Sequence, residues 1–281
     1  MATMTDRCDI AIVGGGLNGQ MAALALARAG FDVVIVERGD PAAKLTDAFD
    51  GRVSSIAYCS KLVLDALGAW DGMAEHGEPI LEIRVSDRDV RLFLHYDHAD
   101  VGDEPLGWIL ENWFIRRALD ATLAATPGVR VLAPAEVTDM TRDGNGASLA
   151  MADGASLACS LVVACDGAMS PMRTSAGISH WNHAYHQQGI VCTVRHERPH
   201  RGIAHERFLP SGPFAILPIP GNLASLVWTE KDAIANRVMT LERDDILEEI
   251  AWRFGDFLGE LELVGPVWNY PLRLVLADRT P

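Results

Sequence analysis

Residues 8–40 read CDIAIVGGGLNGQMAALALARAGFDVVIVERGD. Three glycines, Gly14, Gly16 and Gly19, stand between a short apolar run and a segment rich in Ala and Leu. Glycine destabilises such places unless the backbone must turn sharply or come close to something. The run 10–13 is apolar and β-rich, as in a strand buried on both faces of a parallel sheet. Residues 17–29 predict a helix, with Gly30 at its C-terminal stop. The run 33–36 predicts a second buried strand that ends at Glu37, which completes a β-α-β unit. In that setting each glycine has a task. Gly14 permits the tight turn, Gly16 lets backbone approach a pyrophosphate, and Gly19 lets the helix lie close on the strand. The helix N-terminus offers free N–H groups and a positive dipole end to the anion. Glu37 falls where a carboxylate accepts hydrogen bonds from ribose hydroxyls. A glycine-rich turn without ligand is the plain alternative, and the two strands, helix and acid in place argue against it. The motif alone does not separate FAD from NAD.

The chain has 281 residues, enough for one large domain or two modest ones. Its formal net charge of −14 disfavours nucleic acid, which needs clustered Lys and Arg. The five cysteines, Cys8, Cys59, Cys159, Cys165 and Cys192, form no C-x-x-C pair and read as reduced thiols of an intracellular protein. The start of the chain is polar and the apolar run after it is short, which argues against a signal peptide. No apolar stretch approaches the roughly 18 residues that span a bilayer. The expectation is a soluble cytoplasmic protein, with peripheral membrane contact left open.

Further along, residues 56–70 show helical spacing through Ile56, Val63, Leu67 and Trp70, with Asp50 and Arg52 just before. Arg52 by itself reads as a solvated loop residue. Residues 78–96 read as a hairpin around 87–89. Helical spacing returns over 111–126 and stops at Pro127 and Gly128. A β-meander follows, with turn signals at 143–146 and 153–154. Its last strand, 161–164, is continuously apolar and so expected to be central. It runs into Asp166 and Gly167. A carboxylate there faces the crevice where α/β sheets bind ligands, although a turn or helix-cap role fits the same position.

From His180 onward, short strands divided by Pro and Gly predict an antiparallel sheet in a second domain. Thr240 is placed to cap a helix reaching about 257, with Glu242, Asp244 and Asp245 in its first turn and Ile246, Ile250 and Phe254 on its buried face. His180, His183 and His186 are three apart, but they lack zinc spacing and a Cys or carboxylate to complete a set, so no metal site is expected. Ser170 lacks the glycine pattern of a nucleophile elbow.

These motifs together resemble the FAD-dependent aromatic hydroxylases of the p-hydroxybenzoate hydroxylase fold, in particular the ubiquinone-biosynthesis branch. The resemblance is carried by IVGGGLNGQMAALALARAG with VVIVER, DGRVSSIAYCSKLVLDALGAW, LGWILEN, LVVACDGAMSPMR, FLPSGPFAILPIP with SLVWT, and YPLRLVLADR. It implies an α/β fold: a Rossmann-like FAD-binding domain with a β-meander, built from 1–75 and 102–179. A second domain with a mainly antiparallel sheet would come from 76–101 and 180–281 and would roof the substrate. It implies that Gly14, Gly16 and Gly19 approach the FAD pyrophosphate. Glu37, with Arg38 beside it, would hold the adenosine ribose. Arg52 would lie near the flavin, Asn112 would face the cofactor, and Asp166 with Gly167 would form a second flavin motif that also serves NAD(P)H use.

The implied activity is hydroxylation of a polyprenylated phenol with NAD(P)H and O₂. No side chain is assigned as catalytic, because the cofactor carries that chemistry. The implied setting is peripheral to the inner membrane or within a biosynthetic complex. In the family, a third flavin motif, Gly-Asp before a Pro- and Gly-rich helix start, follows YPLRLVLADR. The sequence stops at Pro281 before it, so the expectation is a truncated chain that holds FAD poorly and either self-associates or covers the gap with a shifted segment. A flavin reductase or oxidase on another lipid, and a non-catalytic scaffold, are the alternative readings.

Overall fold

Two long-range sheets and one small one organise the chain. The computed structural model describes residues 5–40, 51–87, 90 and 92–279. Strands and helices are numbered along the chain. The first sheet takes β1 (Thr5–Val13), β2 (Val33–Val36), β8 (Val129–Leu132), β9 (Val137–Asp143), β10 (Gly146–Met151) and β11 (Ser156–Ala164), in the order β8-β2-β1-β11-β10-β9. β8, β2, β1 and β11 are parallel, and β10 and β9 fold back antiparallel as the expected meander. β1 is therefore paired on both edges, and Ala11, Ile12 and all of β2 are buried. Helix α1 (Leu17–Arg28) covers one face with α2 (Tyr58–Ala66) and α3 (Asn112–Ala124). Ile10, Ile12 and Ile35 there meet Leu24, Leu64, Trp70 and Leu119 in one core.

The second sheet has the order β16-β12-β15-β14-β13-β5-β6. Its strands are β5 (Glu82–Asp87), β6 (Phe93–Asp97), β12 (His180–His196), β13 (Ile203–Leu209), β14 (Gly212–Ile219), β15 (Leu223–Lys231) and β16 (Leu261–Ala277). All its pairings are antiparallel except β13 with β5. Helices α5 (Asp232–Val238) and α6 (Arg243–Phe254) cover one face, where Phe214, Trp228, Ile246, Ile250 and Phe254 pack together. The small sheet joins β3 (Val53–Ala57), β7 (Gly107–Glu111) and β4 (Glu78–Ile80), and Ile80 and Ile109 pack with Ala204 and Ile219 of the larger sheet.

The structure departs from the sequence reading at several points. Ile56 lies in β3, and the helix begins at Tyr58: the pairing of β3 with β7 overrides the helical spacing. The 82–97 hairpin forms, but 78–80 leaves it for the small sheet, and Asp89 lies outside the described residues. The N-cap position of α6 is Glu242, with no side-chain cap, not Thr240: Thr240 belongs to the turn that ends the preceding α5, where its Oγ1 donates to the Arg237 carbonyl, and α6 stops at Phe254. Helix α5 itself was not foreseen. β11 is central by pairing, yet Leu161 is 52% exposed: pairing fills the strand's edges and leaves that face without cover among the described residues. No helix among the described residues is long and apolar enough to cross a membrane.

Candidate nucleotide-binding site

The glycine loop is locked by backbone. Gly14 N–H donates to the Val36 carbonyl at 2.8 Å and Cys165 N–H donates to the Val13 carbonyl at 2.7 Å, so the ends of β1, β2 and β11 meet at the loop. Gly14 has φ +105°, and a Cβ there would overlap the Cys165 carbonyl. A Cβ on Gly19 would overlap the Gly14 carbonyl. Gly16 differs: among the described residues a Cβ would meet nothing within 4 Å. Gly16 is the N-cap of α1, no side chain caps that end, and no acidic residue lies in its first turn. The positive end of the helix is thus left for an external anion.

Glu37 ends β2 and its carboxylate accepts from Gly15 N–H at 2.6 Å and Gly39 N–H at 2.7 Å. Across the crevice, Asp166 Oδ2 accepts from Met172 N–H at 3.0 Å, so the helix-cap role is real for that oxygen. Its Oδ1 is buried without a partner, which points to a second use. Ser170 caps α4 (Pro171–Ser175) by accepting from Arg173 N–H, which gives it a structural task. Between these groups lies a cavity of about 210 Å³ lined by Gly14, Glu37, Arg38, Glu136, Asp166 and Met172.

Not every sequence candidate lines that cavity. Arg38 does, from an exposed position, and Gly167, with φ +89°, is exposed at the turn after Asp166. Arg52 and Asn112 are neighbours elsewhere: Asn112 N–H donates to the Arg52 carbonyl at 3.0 Å, and Ser54 Oγ donates to Asn112 Oδ1 at 2.5 Å. That second locus touches the larger sheet, since Gly51 packs on the Trp268 ring. Sequence reasoning missed Glu136 and Met172. The Ala135 N–H bond to the Glu37 carbonyl brings 135–137 to the cavity, and the missed signal was β8 running parallel to β2. Arg173, whose buried Nε has no partner, was also missed.

The three spaced histidines do not converge. Among the described residues, the ligand atoms that do are those of Glu82, His95 and Asp97. Arg84 already donates to Glu82 Oε2 at 2.6 and 2.9 Å, so that carboxylate is engaged by a cation.

A family model for an FAD binding domain matches residues 7–252. The chain belongs to that FAD-binding family. It is 45% identical over 271 residues to the ubiquinone hydroxylase UbiL of Rhodospirillum rubrum, covering 96% of this chain and 63% of that protein. It is 32% identical over 253 residues to the 3-demethoxyubiquinol 3-hydroxylase of Escherichia coli, covering 89% of this chain and 64% of that protein. The chain thus spans less than two thirds of the length of both. Among solved structures, p-nitrophenol 4-monooxygenase PnpA of Pseudomonas putida matches with a TM-score of 0.75 at 18% identity, covering 98% of this chain and 70% of that one. The flavin-dependent monooxygenase PieE, solved with FAD and substrate, matches with a TM-score of 0.73 at 16% identity, covering 98% and 52%. At those identities the likeness is one of fold, and the fold is the one expected. The cofactor of this FAD-binding family suits the residues present: an uncapped helix end, open space at Gly16, and an unpartnered oxygen on Asp166.

Proposed function

We propose that this chain belongs to an FAD-dependent monooxygenase that hydroxylates a polyprenylated phenol in ubiquinone biosynthesis, with NAD(P)H and O₂. The observation that carries the reading is the 45% identity to a ubiquinone hydroxylase along 96% of the chain. The uncapped α1 terminus supports a dinucleotide there. When bound, FAD would supply the reduction by NAD(P)H and the activation of O₂.

The chain's own residues then bind and orient. The first turn of α1, opened by Gly16, receives the pyrophosphate. Glu37, with Arg38, holds the adenosine ribose, and Asp166 Oδ1 gains the donor it lacks, with Gly167 leaving room beside it. Arg52 and Asn112 line the flavin end. Residues 1–75 with 102–179 serve the cofactor, and 76–101 with 180–281 serve the substrate, whose ring lies under the second sheet and away from water. Such a substrate resides in lipid, so the protein works at the membrane periphery or in a biosynthetic complex.

The test is turnover of the full-length protein with a prenylated phenol and isotopically labelled O₂. Label in the new hydroxyl is expected. Substrate-dependent NAD(P)H oxidation with no labelled product would instead mark a reductase or oxidase.

A further inference from the structure

On the outer side of the second sheet, α6 and the chain after it bound an open groove of about 760 Å³. Its floor is apolar, made by Leu247, Ala251 and Leu261, and its rim carries Asp244, Glu248, Asp256 and Glu260. Trp252 follows Glu248 by one helical turn and is 77% exposed, with the Arg253 guanidinium over its ring at 5.2 Å. A tryptophan so exposed on the same helix adds to the surface offered to a partner.

Among the described residues the charges of the rim have no counterpart. No described cation pairs with these four carboxylates. Arg243 donates to the Leu263 and Gly265 carbonyls, and Arg253 is engaged by Glu249 and Glu230. Arg198 reaches the backbone carbonyl of Asp256, not its carboxylate. Glu197 adds a further carboxylate beside Glu260. Asp244 is explained locally, because an acid in the first turn of a helix is favourable. Asp256 is not: it follows the C-terminal residue Phe254, where the helix dipole disfavours negative charge. Glu248 and Glu260 have no local explanation either.

We propose that this groove docks a basic amphipathic helix of a partner protein, with apolar side chains on the Leu247–Ala251–Leu261 floor, an aliphatic or aromatic contact to Trp252, and Lys or Arg on the carboxylate rim. The charge selects this occupant. A lipid surface or nucleic acid would bring phosphates to an acidic rim. A second copy of this chain, at net charge −14, would bring mostly like charge. An apolar helix face laid in a groove with flanking charge pairs is an established mode of peptide recognition. The inference stands independently of the cofactor reading.

The probe is a synthetic Leu/Lys peptide of about 18 residues, five helical turns, with Leu at i, i+3, i+4 and i+7. Its counterpart carries Glu for Lys. Both are labelled and titrated by fluorescence anisotropy with the full chain. Saturable one-to-one binding of the Lys peptide is expected, at least about tenfold tighter than the Glu peptide and weakened by salt. The pair Glu248→Lys and Glu260→Lys should reduce it about tenfold or more, and Trp252→Ala should weaken it separately. All three positions are exposed, so folding should persist, and thermal melting checks that. A control pair of equal charge change, Glu75→Lys and Asp103→Lys, should leave the affinity within about twofold. Equal losses from both pairs would overturn the proposal by showing diffuse attraction. Dimerisation in sedimentation, or vesicle binding, removed by the groove pair alone would overturn it in favour of a second copy or a lipid surface.

Discussion

Glu37 accepts the backbone N–H of Gly15 at 2.6 Å, so the acid that ends β2 is also a strut of the glycine loop. Its substitution therefore acts twice. Glu37→Ala should weaken FAD binding by about 1.5–3 kcal/mol, the range for hydrogen bonds to a charged group. It should also lower the melting temperature of the apoprotein, because Gly15 and Gly39 lose an acceptor. Titration with FAD and thermal melting measure the two effects. A lower melting temperature with unchanged FAD affinity would leave the carboxylate as a strut only.

The glycines should separate by role. Gly19→Ala and Gly14→Ala force a Cβ onto backbone that cannot move, and each should destabilise the fold by about 1–3 kcal/mol or more. Gly16→Ala meets open space and a φ of −75°, so stability should stay within about 1 kcal/mol. Its FAD affinity should fall nonetheless, because the added methyl occupies the approach to the helix end. A Gly16→Ala protein with wild-type FAD affinity would place the pyrophosphate elsewhere.

Asp166 offers a cleaner split between cap and ligand. Asp166→Asn keeps an acceptor for Met172 N–H, whereas Asp166→Ala removes it. Loss of such a cap costs about 1 kcal/mol. In the alanine variant that loss is offset in part by removing the buried, unpartnered Oδ1. Both apoproteins should melt close to wild type, and both should bind FAD more weakly. Calorimetry of the apo and FAD-loaded forms reads this directly, and an FAD-induced stabilisation equal to wild type in Asp166→Asn would count against the assignment.

His205 makes stability fall toward acid. Burial, then Arg84 and Arg207, push its pKa down to about 4, against which Glu82 acts weakly. In the unfolded chain it protonates near its ordinary value of about 6.5. The unfolded state therefore binds a proton first as pH drops, and stability is lost between about pH 6.5 and pH 4. The contribution above that window is on the order of 3 kcal/mol. His205→Gln should flatten denaturant stability across pH 4–6.5 relative to wild type. An unchanged slope would show that other groups set it.

The first sheet was legible because its signals are local. A strand, three glycines, a helix and an acid within residues 8–40 leave one way to bury the two apolar runs. The last turns of the meander were legible for the same reason. What the sequence hid depends on pairing between distant segments. Ile56 fits a helix by spacing and becomes a strand because β7 is beside it. Glu136 enters the cavity only because Ala135 bonds to Glu37. Leu161 reads as buried from its apolar neighbours, yet pairing on both edges says nothing about cover on its faces. Asp166 was ambiguous between cap and ligand because each of its oxygens answers a different description.

β12 and β16 are each 17 residues long, but only part of β12 has two neighbours. Residues 187–195 pair with β15 as well, whereas 180–184 pair with β16 alone, and the register slips between Ala184 and Gln188, where His186 has φ 55°. The stretch 181–186 is exposed on both faces. Mechanically this is a two-ply strap with a crease. It leaves the end of α4, behind Asp166, and enters the stiff part of the second sheet just past the crease. Load between the two sheets along this path is borne by a few hydrogen bonds in series with a bulge. The strap is therefore the compliant member, and its amides should exchange with solvent long before those of Ile190–Val194.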